Sequence, residues 1–191
     1  RETQSDENII DKEIIKNIPA YIKSLPFVHL HNCTRFSVLQ STSRIIDLVK
    51  KTSEFKMPAL AITDKANMMG CFHFIKTINN FNNDPENKSK KNIKPIIGCE
   101  LNVCIDHLDK SHRDDGFQVV FLAKNKNGYE NLSKMCSLGY TEGFYYVPRV
   151  DKNIIEKYKD DLIVFSGNIY GEIPSKILNV GEKQAESALK W

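Results

Sequence analysis

At 191 residues, 41% of them hydrophobic and 27% charged, the chain can enclose one core and is no longer than a single domain with an added arm. Its formal net charge of +3 is close to balance, so charge alone does not single out a nucleic-acid binder. No apolar run reaches the length of a membrane span, and RETQSDENII lacks the layout of a secretory leader.

Cys33, Cys71, Cys99, Cys104 and Cys136 are odd in number, lack CxxC spacing and sit mostly in apolar runs. That is the pattern of reduced cysteines used as small hydrophobes in a cytoplasmic setting. Arg1 in place of Met, and Trp191 within a helical pattern, read as an excised piece of a longer polypeptide.

Residues 1–26 differ from the rest. Ile10, Ile14, Ile15 and Ile18 fall at helical spacing in charged surroundings until Pro19 stops the pattern. The segment is expected to be a linker with a short amphipathic helix, its apolar stripe either a docking face or part of a solvated connection.

From Phe27, strands and helices alternate. FVHLH is strand-like, and Ser43–Phe55 is helical with Ile45, Ile46 and Val49 on one side. Pro58–Thr63 has the continuous apolar character of a buried strand. Asn67 is placed to cap a helix carrying Met68, Cys71, Phe72, Ile75 and Ile78. Residues 79–92 are polar, interrupted by Pro85 and without period, so a loop is expected there. IKPIIGCELNVC predicts a bent strand or strand pair, and FQVVFLA a further strand. Asn127 and Glu130 form a capping-box pattern for a helix using Tyr129, Leu132, Met135 and Cys136, with Gly139 as its stop. Asp151 starts a short helix, DLIVFSG is the last strand, and two helical segments close the chain. The alternation predicts an α/β fold, doubly wound or barrel-like.

In such folds chemistry collects at the carboxyl ends of the strands. His31 and Cys33, then Thr63, Asp64 and Lys65, then Gly98 to Glu100, and finally Ser166 and Gly167 stand at four predicted strand ends, which can converge on one point. His29 and His31, at i and i+2 on a strand, share a face; they could hold a cation together or be satisfied by backbone hydrogen bonds. Glu100 is either an oxygen ligand or a buried, paired carboxylate. Asp64 either serves a site or turns the chain toward Asn67.

The segments FVHLHNCTRFSVLQ, MPALAITDKANMMGCFHF, IKPIIGCELNV, FLAKNKNGYENLSKM and GFYYVPRV, in this order, resemble the PHP (polymerase and histidinol phosphatase) domain carried by bacterial DNA polymerase III alpha subunits. The Asn-rich loop and HLDKS near His107 resemble the Bacteroidetes-type version, in which a proofreading exonuclease domain precedes the PHP domain. The resemblance implies a linker over residues 1–26, following an exonuclease domain. It implies that residues 27–191 are the N-terminal portion of a distorted (β/α)7 PHP barrel.

In active members of the family, histidines and carboxylates at the strand ends hold up to three divalent metals for phosphoester hydrolysis. The first motif, His-x-His-x-His, maps to His29, His31 and Cys33, its second and third positions being ligands. The second, Thr-Asp-His, appears as Thr63, Asp64 and Lys65. The family's Asp-Gly is here Gln40 and Ser41, the glutamate of Gly-x-Glu is Glu100, and the remaining ligands are placed beyond Trp191. Cys33 could still bind a soft metal as thiolate. Lys65 could not, because an ammonium has no lone pair and repels a divalent cation. Lys65 is therefore expected either to act as a built-in cation, pairing with Glu100 or Asp64, or to be solvated.

The site expected is thus a vestigial PHP site of His31, Cys33, Asp64, Lys65 and Glu100, with His31 and Glu100 the positions left for a metal. The resemblance implies a parent enzyme that performs template-directed DNA synthesis with Mg2+. The domain itself would be non-catalytic, supporting the polymerase core and its exonuclease. Partners implied are the rest of that chain, replisome subunits such as the sliding clamp, and DNA through the parent protein, with no membrane. The alternative is an active phosphoesterase using Mn2+ or Zn2+. A free-standing histidinol-phosphatase-like enzyme is disfavoured by the linker-like start and the wording of MPALAITDKANMMG.

Overall fold

Four consecutive residues, Ala59–Ile62, are all buried, as expected where a strand is covered on both faces. This strand, β1, lies parallel to β2 (Lys94–Cys104), with Ala59 opposite Lys94 and Ile62 opposite Ile97. The computed structural model describes residues 25–87 and 90–191; the helix expected between Ile10 and Ile18 lies outside them.

The eleven residues of β2 make it the spine of a mixed sheet. β3 (Phe117–Ala123) runs antiparallel to it, and β5 (Leu162–Phe165) runs antiparallel to β3. Past the end of β1, the free edge of β2 is taken by β4 (Arg149–Asp151), which pairs with Asn102–Cys104. The sheet is α/β in content but not purely parallel. The reason is local: residues 105–116 join β2 to β3 without a crossover helix, so the chain must return antiparallel. Gly116 makes this return possible, with a φ of 72° and no room for a Cβ against the Val103 carbonyl.

The helices cover one face of the sheet. α1 (Ile45–Glu54) buries Ile45, Val49 and Thr52, and α2 (Cys71–Asn83) buries Cys71, Phe74 and Ile78, both at helical spacing. Together with Leu60, Ile62 and Ile93 they form one cluster. α3 (Lys126–Thr141) and α4 (Lys152–Tyr158) form a second, in which Leu132, Met135, Ile154 and Ile155 meet Cys99, Leu101, Val103 and Phe121. On the opposite face Ala61, Val120 and Leu122 pack with Leu30, Ile96 and Phe165. Because strand side chains alternate, Gly98, Glu100 and Asn102 share that face with Ile96. Two helices close the chain, α5 (Glu172–Asn179) and α6 (Glu182–Lys190). Glu172 draws in Lys152 and Lys176 at 3.1 and 2.6 Å. No described helix is long and apolar enough to cross a membrane.

Several local expectations shift by a few residues, each for a physical reason. Asn125, not Asn127, caps α3, its side chain accepting the Gly128 N–H at 3.1 Å, while Asn127 donates to Asp161. Gly139 lies within α3, and the chain turns out only at Gly143, where a Cβ would sit 2.0 Å from the Arg149 carbonyl oxygen. Asn67 does not cap α2, which begins at Cys71. It organises the preceding turn, donating to Phe36 and Lys65 carbonyls and accepting the Met69 N–H. Asp151 caps α4 as its position predicts, accepting the Ile154 N–H at 2.9 Å.

The Asn125 cap is separable from Asn127 by mutation. Asn125→Ala should lower stability by about 1 kcal/mol. Asn127→Ala, at an exposed bond, should change it by less than about 0.5 kcal/mol. Urea denaturation of both variants measures the difference.

Candidate functional site

The segment ahead of β1 is extended but is not a regular strand. The His29 carbonyl accepts from Ala61 N–H, and the Asn32 carbonyl accepts from Thr63 N–H. Between them the Asn32 side-chain amide donates to the Ala61 carbonyl, taking an acceptor that a regular ladder would use. This local replacement is why FVHLH does not pair as an ordinary strand. It nonetheless lays the segment along β1 and sends His31 across to β2. His29 is exposed, with its ring edge-on to Phe27 at 4.8 Å. The two histidines therefore do not share a site.

Glu100 is the centre of the cluster. It is 5% exposed, in the middle of β2. Its N–H donates to the Asp64 carbonyl and its own carbonyl accepts from Ala66 N–H, so Lys65 is its bridge partner. Side chains follow the backbone: His31 Nε2 lies 2.8 Å from one carboxylate oxygen, and Lys65 Nζ lies 3.7 Å from the other. Gly98, one pleat earlier, lets the strands close beneath the cluster, since a Cβ there would lie 2.5 Å from the Phe121 carbonyl oxygen.

Asp64 belongs to the neighbourhood but is spent on structure. One carboxylate oxygen accepts from the Thr34 N–H and the Ser37 hydroxyl, at 2.6 and 2.7 Å; the other accepts from the Thr34 hydroxyl at 2.8 Å. All three residues are buried. Asp64 thereby pins the loop after His31 to the end of β1. Cys33 is half-buried, its Sγ 3.8 Å from the Thr63 carbonyl oxygen. Ser41 donates to the Cys33 carbonyl, while Gln40 is exposed. Of the four residue groups expected to converge from strand ends, three do, although the His31 segment is no regular strand and Glu100 stands within β2 rather than at its end. Ser166 and Gly167 stand two strands away, where Gly167 packs on Gln118 of β3.

The Cys33 thiol beside the ring and the Glu100 carboxylate, opposed by partial burial, push the His31 imidazole up from 6.5 to about 9. At neutral pH the Glu100 carboxylate is therefore bracketed by two cations, an imidazolium and an ammonium.

A second cluster, not singled out by sequence reasoning, surrounds His107 at the end of β2. His107 is 9% exposed, and its Nδ1 lies 2.7 Å from Asp151. Burial pushes Asp151 up, but the Ile154 N–H and His107 outweigh it and hold the carboxyl below its usual range. Beside it Arg149, 1% exposed, donates to the carbonyls of Gly143, Asp114, His107 and Asp109 and lies over the Tyr145 ring. The one sequence signal for this cluster is Asp151 two residues after Arg149 in a short strand, three residues before the apolar pair Ile154–Ile155.

Comparison with known proteins places this geometry in a family. The model of the PHP domain matches residues 29–191, so the chain belongs to the PHP domain family. Among curated proteins it is similar to a DNA polymerase III subunit alpha of Borreliella burgdorferi, 36% identical over 169 residues. That match covers 86% of this chain and 14% of the relative. It is likewise 36% identical over 176 residues to a DNA polymerase III subunit alpha of Deinococcus radiodurans, covering 86% of this chain and 12% of that protein. The chain thus spans about one seventh or less of the length of these relatives. Among solved structures, a metal-dependent phosphoesterase from Bifidobacterium adolescentis aligns at 16% identity with a TM-score of 0.36, over 59% of this chain and 32% of that one. A likeness that slight supports no argument.

The family's metals can be tested against the side chains present. A divalent cation needs lone pairs and net negative charge converging on one point. Here an ammonium points at the same carboxylate that would ligate, the imidazole nitrogen facing it is spent on an ion pair, and both Asp64 oxygens already accept hydrogen bonds from Thr34 and Ser37. This donor set does not fit a catalytic metal.

Two outcomes follow. Asp64→Ala would strand three buried donors and should cost on the order of 3 kcal/mol or more in urea denaturation. The raised folded-state value of His31 means that its ion pair contributes fully below pH 6.5 and is lost as pH rises through about 9. An NMR titration of the His31 ring should show that midpoint, and Glu100→Gln should move it down.

Proposed function

We propose that the chain is the PHP segment of a bacterial DNA polymerase III alpha subunit, with a structural role in place of phosphoesterase chemistry. The parent protein would carry out template-directed nucleotidyl transfer with Mg2+. This domain would support the polymerase core and the placement of a proofreading exonuclease, with residues 1–26 as the linker between them. The sliding clamp and DNA would be met through the parent protein, in the cytoplasm, where the five cysteines stay reduced.

The observation that carries the reading is the pairing of Glu100 with Lys65 and His31. Phosphoester hydrolysis in this family needs a Lewis acid and an activated water. Here the compensating charge is supplied by side chains of the same chain, which occupy both oxygens of the Glu100 carboxylate. The vestigial site is then His31, Cys33, Asp64, Lys65 and Glu100, retained for the contacts described above.

Purified chain incubated with Mn2+ or Zn2+ should show no phosphodiesterase turnover above that of the His31→Ala variant. Anomalous scattering should find no stoichiometric ion touching both His31 and Glu100. Robust turnover that disappears in His31→Ala would instead make the domain an active metal-dependent phosphoesterase.

A further inference from the structure

The isoleucine stripe of Ile10, Ile14, Ile15 and Ile18 is idle in a linker that only connects. Apolar residues at helical spacing make a face that gains by being covered. The described fold has a surface of the matching kind. A groove of about 870 Å3 is lined by Leu30, Ile96, Leu122, Ile163 and Phe165, and by Phe72 of α2. Phe72 is 80% exposed and Ile163 45%, so apolar surface is left in water here. The charged residues lining the groove are Lys94, Lys124 and Lys126, and no described carboxylate is among them. Lys126 has Glu130 at 3.8 Å, whereas Lys94 and Lys124 form no ion pair among the described residues.

Position and charge both point to the first residues of the same chain. The segment at His29 and Asn32 runs parallel to β1, its carbonyls accepting from Ala61 and Thr63 in turn. Traced backwards, it heads for the end of β1 where Ala59 lies opposite Lys94, at the groove. Leu30, itself part of the lining, is twelve residues from Ile18. Twelve extended residues span up to about 40 Å. That exceeds the roughly 30 Å diameter of a small domain, so the stripe can reach the whole groove. Residues 1–18 hold five carboxylates, Glu2, Asp6, Glu7, Asp11 and Glu13, against Arg1, Lys12 and Lys16. An apolar helix face flanked by net negative charge complements an apolar groove rimmed by lysines.

We propose that residues 10–18 dock in this groove as an amphipathic helix, with the isoleucines against Ile96, Leu122, Ile163 and Phe165 and the carboxylates toward Lys94 and Lys124. Pro19 then ends the helix, and the residues after it return the chain to β1. The contact would give whatever precedes the domain a fixed point of attachment instead of a loose tether. It depends neither on the Glu100 cluster nor on the polymerase reading, so each can fail without the other.

Amide hydrogen exchange in the 191-residue chain reads the docking directly. Residues 10–18 should exchange on the order of 10-fold or more slowly than in Ile14→Asp. Phe72→Asp should remove that protection, and so should Lys94→Glu combined with Lys124→Glu. All three positions are exposed, and unchanged exchange across β2 and β3 will show that the fold stands. Adding Asp11→Lys and Glu13→Lys to the lysine reversal should restore the protection, and sedimentation should give a monomer throughout. Free exchange of residues 10–18 in the wild-type chain would overturn the docking. So would protection unmoved by both groove variants, or protection that rises with chain concentration, as a second copy in the groove would produce.

Discussion

A carboxylate taken out of water must meet positive charge within a few ångströms, and the arrangement of this domain follows from how Glu100 does so. Glu100 is both a member of the central strand and a charge centre. Its main chain is locked between the Asp64 carbonyl and the Ala66 amide, which fixes the register of the residues after β1. That register brings Lys65 alongside, and the imidazole of His31 completes the compensation from the other side. The segment 27–41 and the turn 63–67 are thus docked on the sheet by one buried charge and by the three hydrogen bonds that the Asp64 carboxylate accepts.

This arrangement also explains how a site can lose its chemistry without losing its shape. A metal ion in such a pocket does two things: it polarises substrate, and it neutralises the acids that hold it. Lys65 and protonated His31 can perform the second task and not the first. In the proposed polymerase setting the domain would keep its architecture through side-chain cations, independently of metal supply at Glu100.

Much of the fold was legible in residue pattern because it rests on apolar periodicity. Ile45 with Val49, Cys71 with Ile78, and Leu132 with Met135 and Cys136 each marked the buried side of a helix, and FQVVFLA marked a strand; Phe72, read with the Cys71 side, is instead 80% exposed and Phe74 takes the buried place. The residues of the candidate site were legible too, through the family resemblance. What escaped was decided by neighbours distant in sequence. Asn125 and Asn127 are alike as caps until the position of Asp161 is known, and Gly139 is harmless in a helix that β4 approaches closely. β4 itself is three residues long and has too little pattern to be seen. The His107 cluster joins a loop to a helix end and a strand end that lie more than thirty residues further along the chain, and no spacing rule encodes that meeting.

Arg149 gives the loop between β2 and β3 an unusual independence. Its guanidinium grips main-chain carbonyls, which every amino acid supplies, rather than the many acidic side chains nearby. The path of the loop is set by these carbonyls together with the carboxylates of Asp106, Asp109 and Asp114, which accept N–H groups of the loop itself, while its outward apolar side chains make no such bond. Ile105, Leu108 and Lys110, all exposed, could be exchanged while the scaffold beneath them held still, which makes this rim of the domain a place where new surface chemistry can be installed at little structural cost.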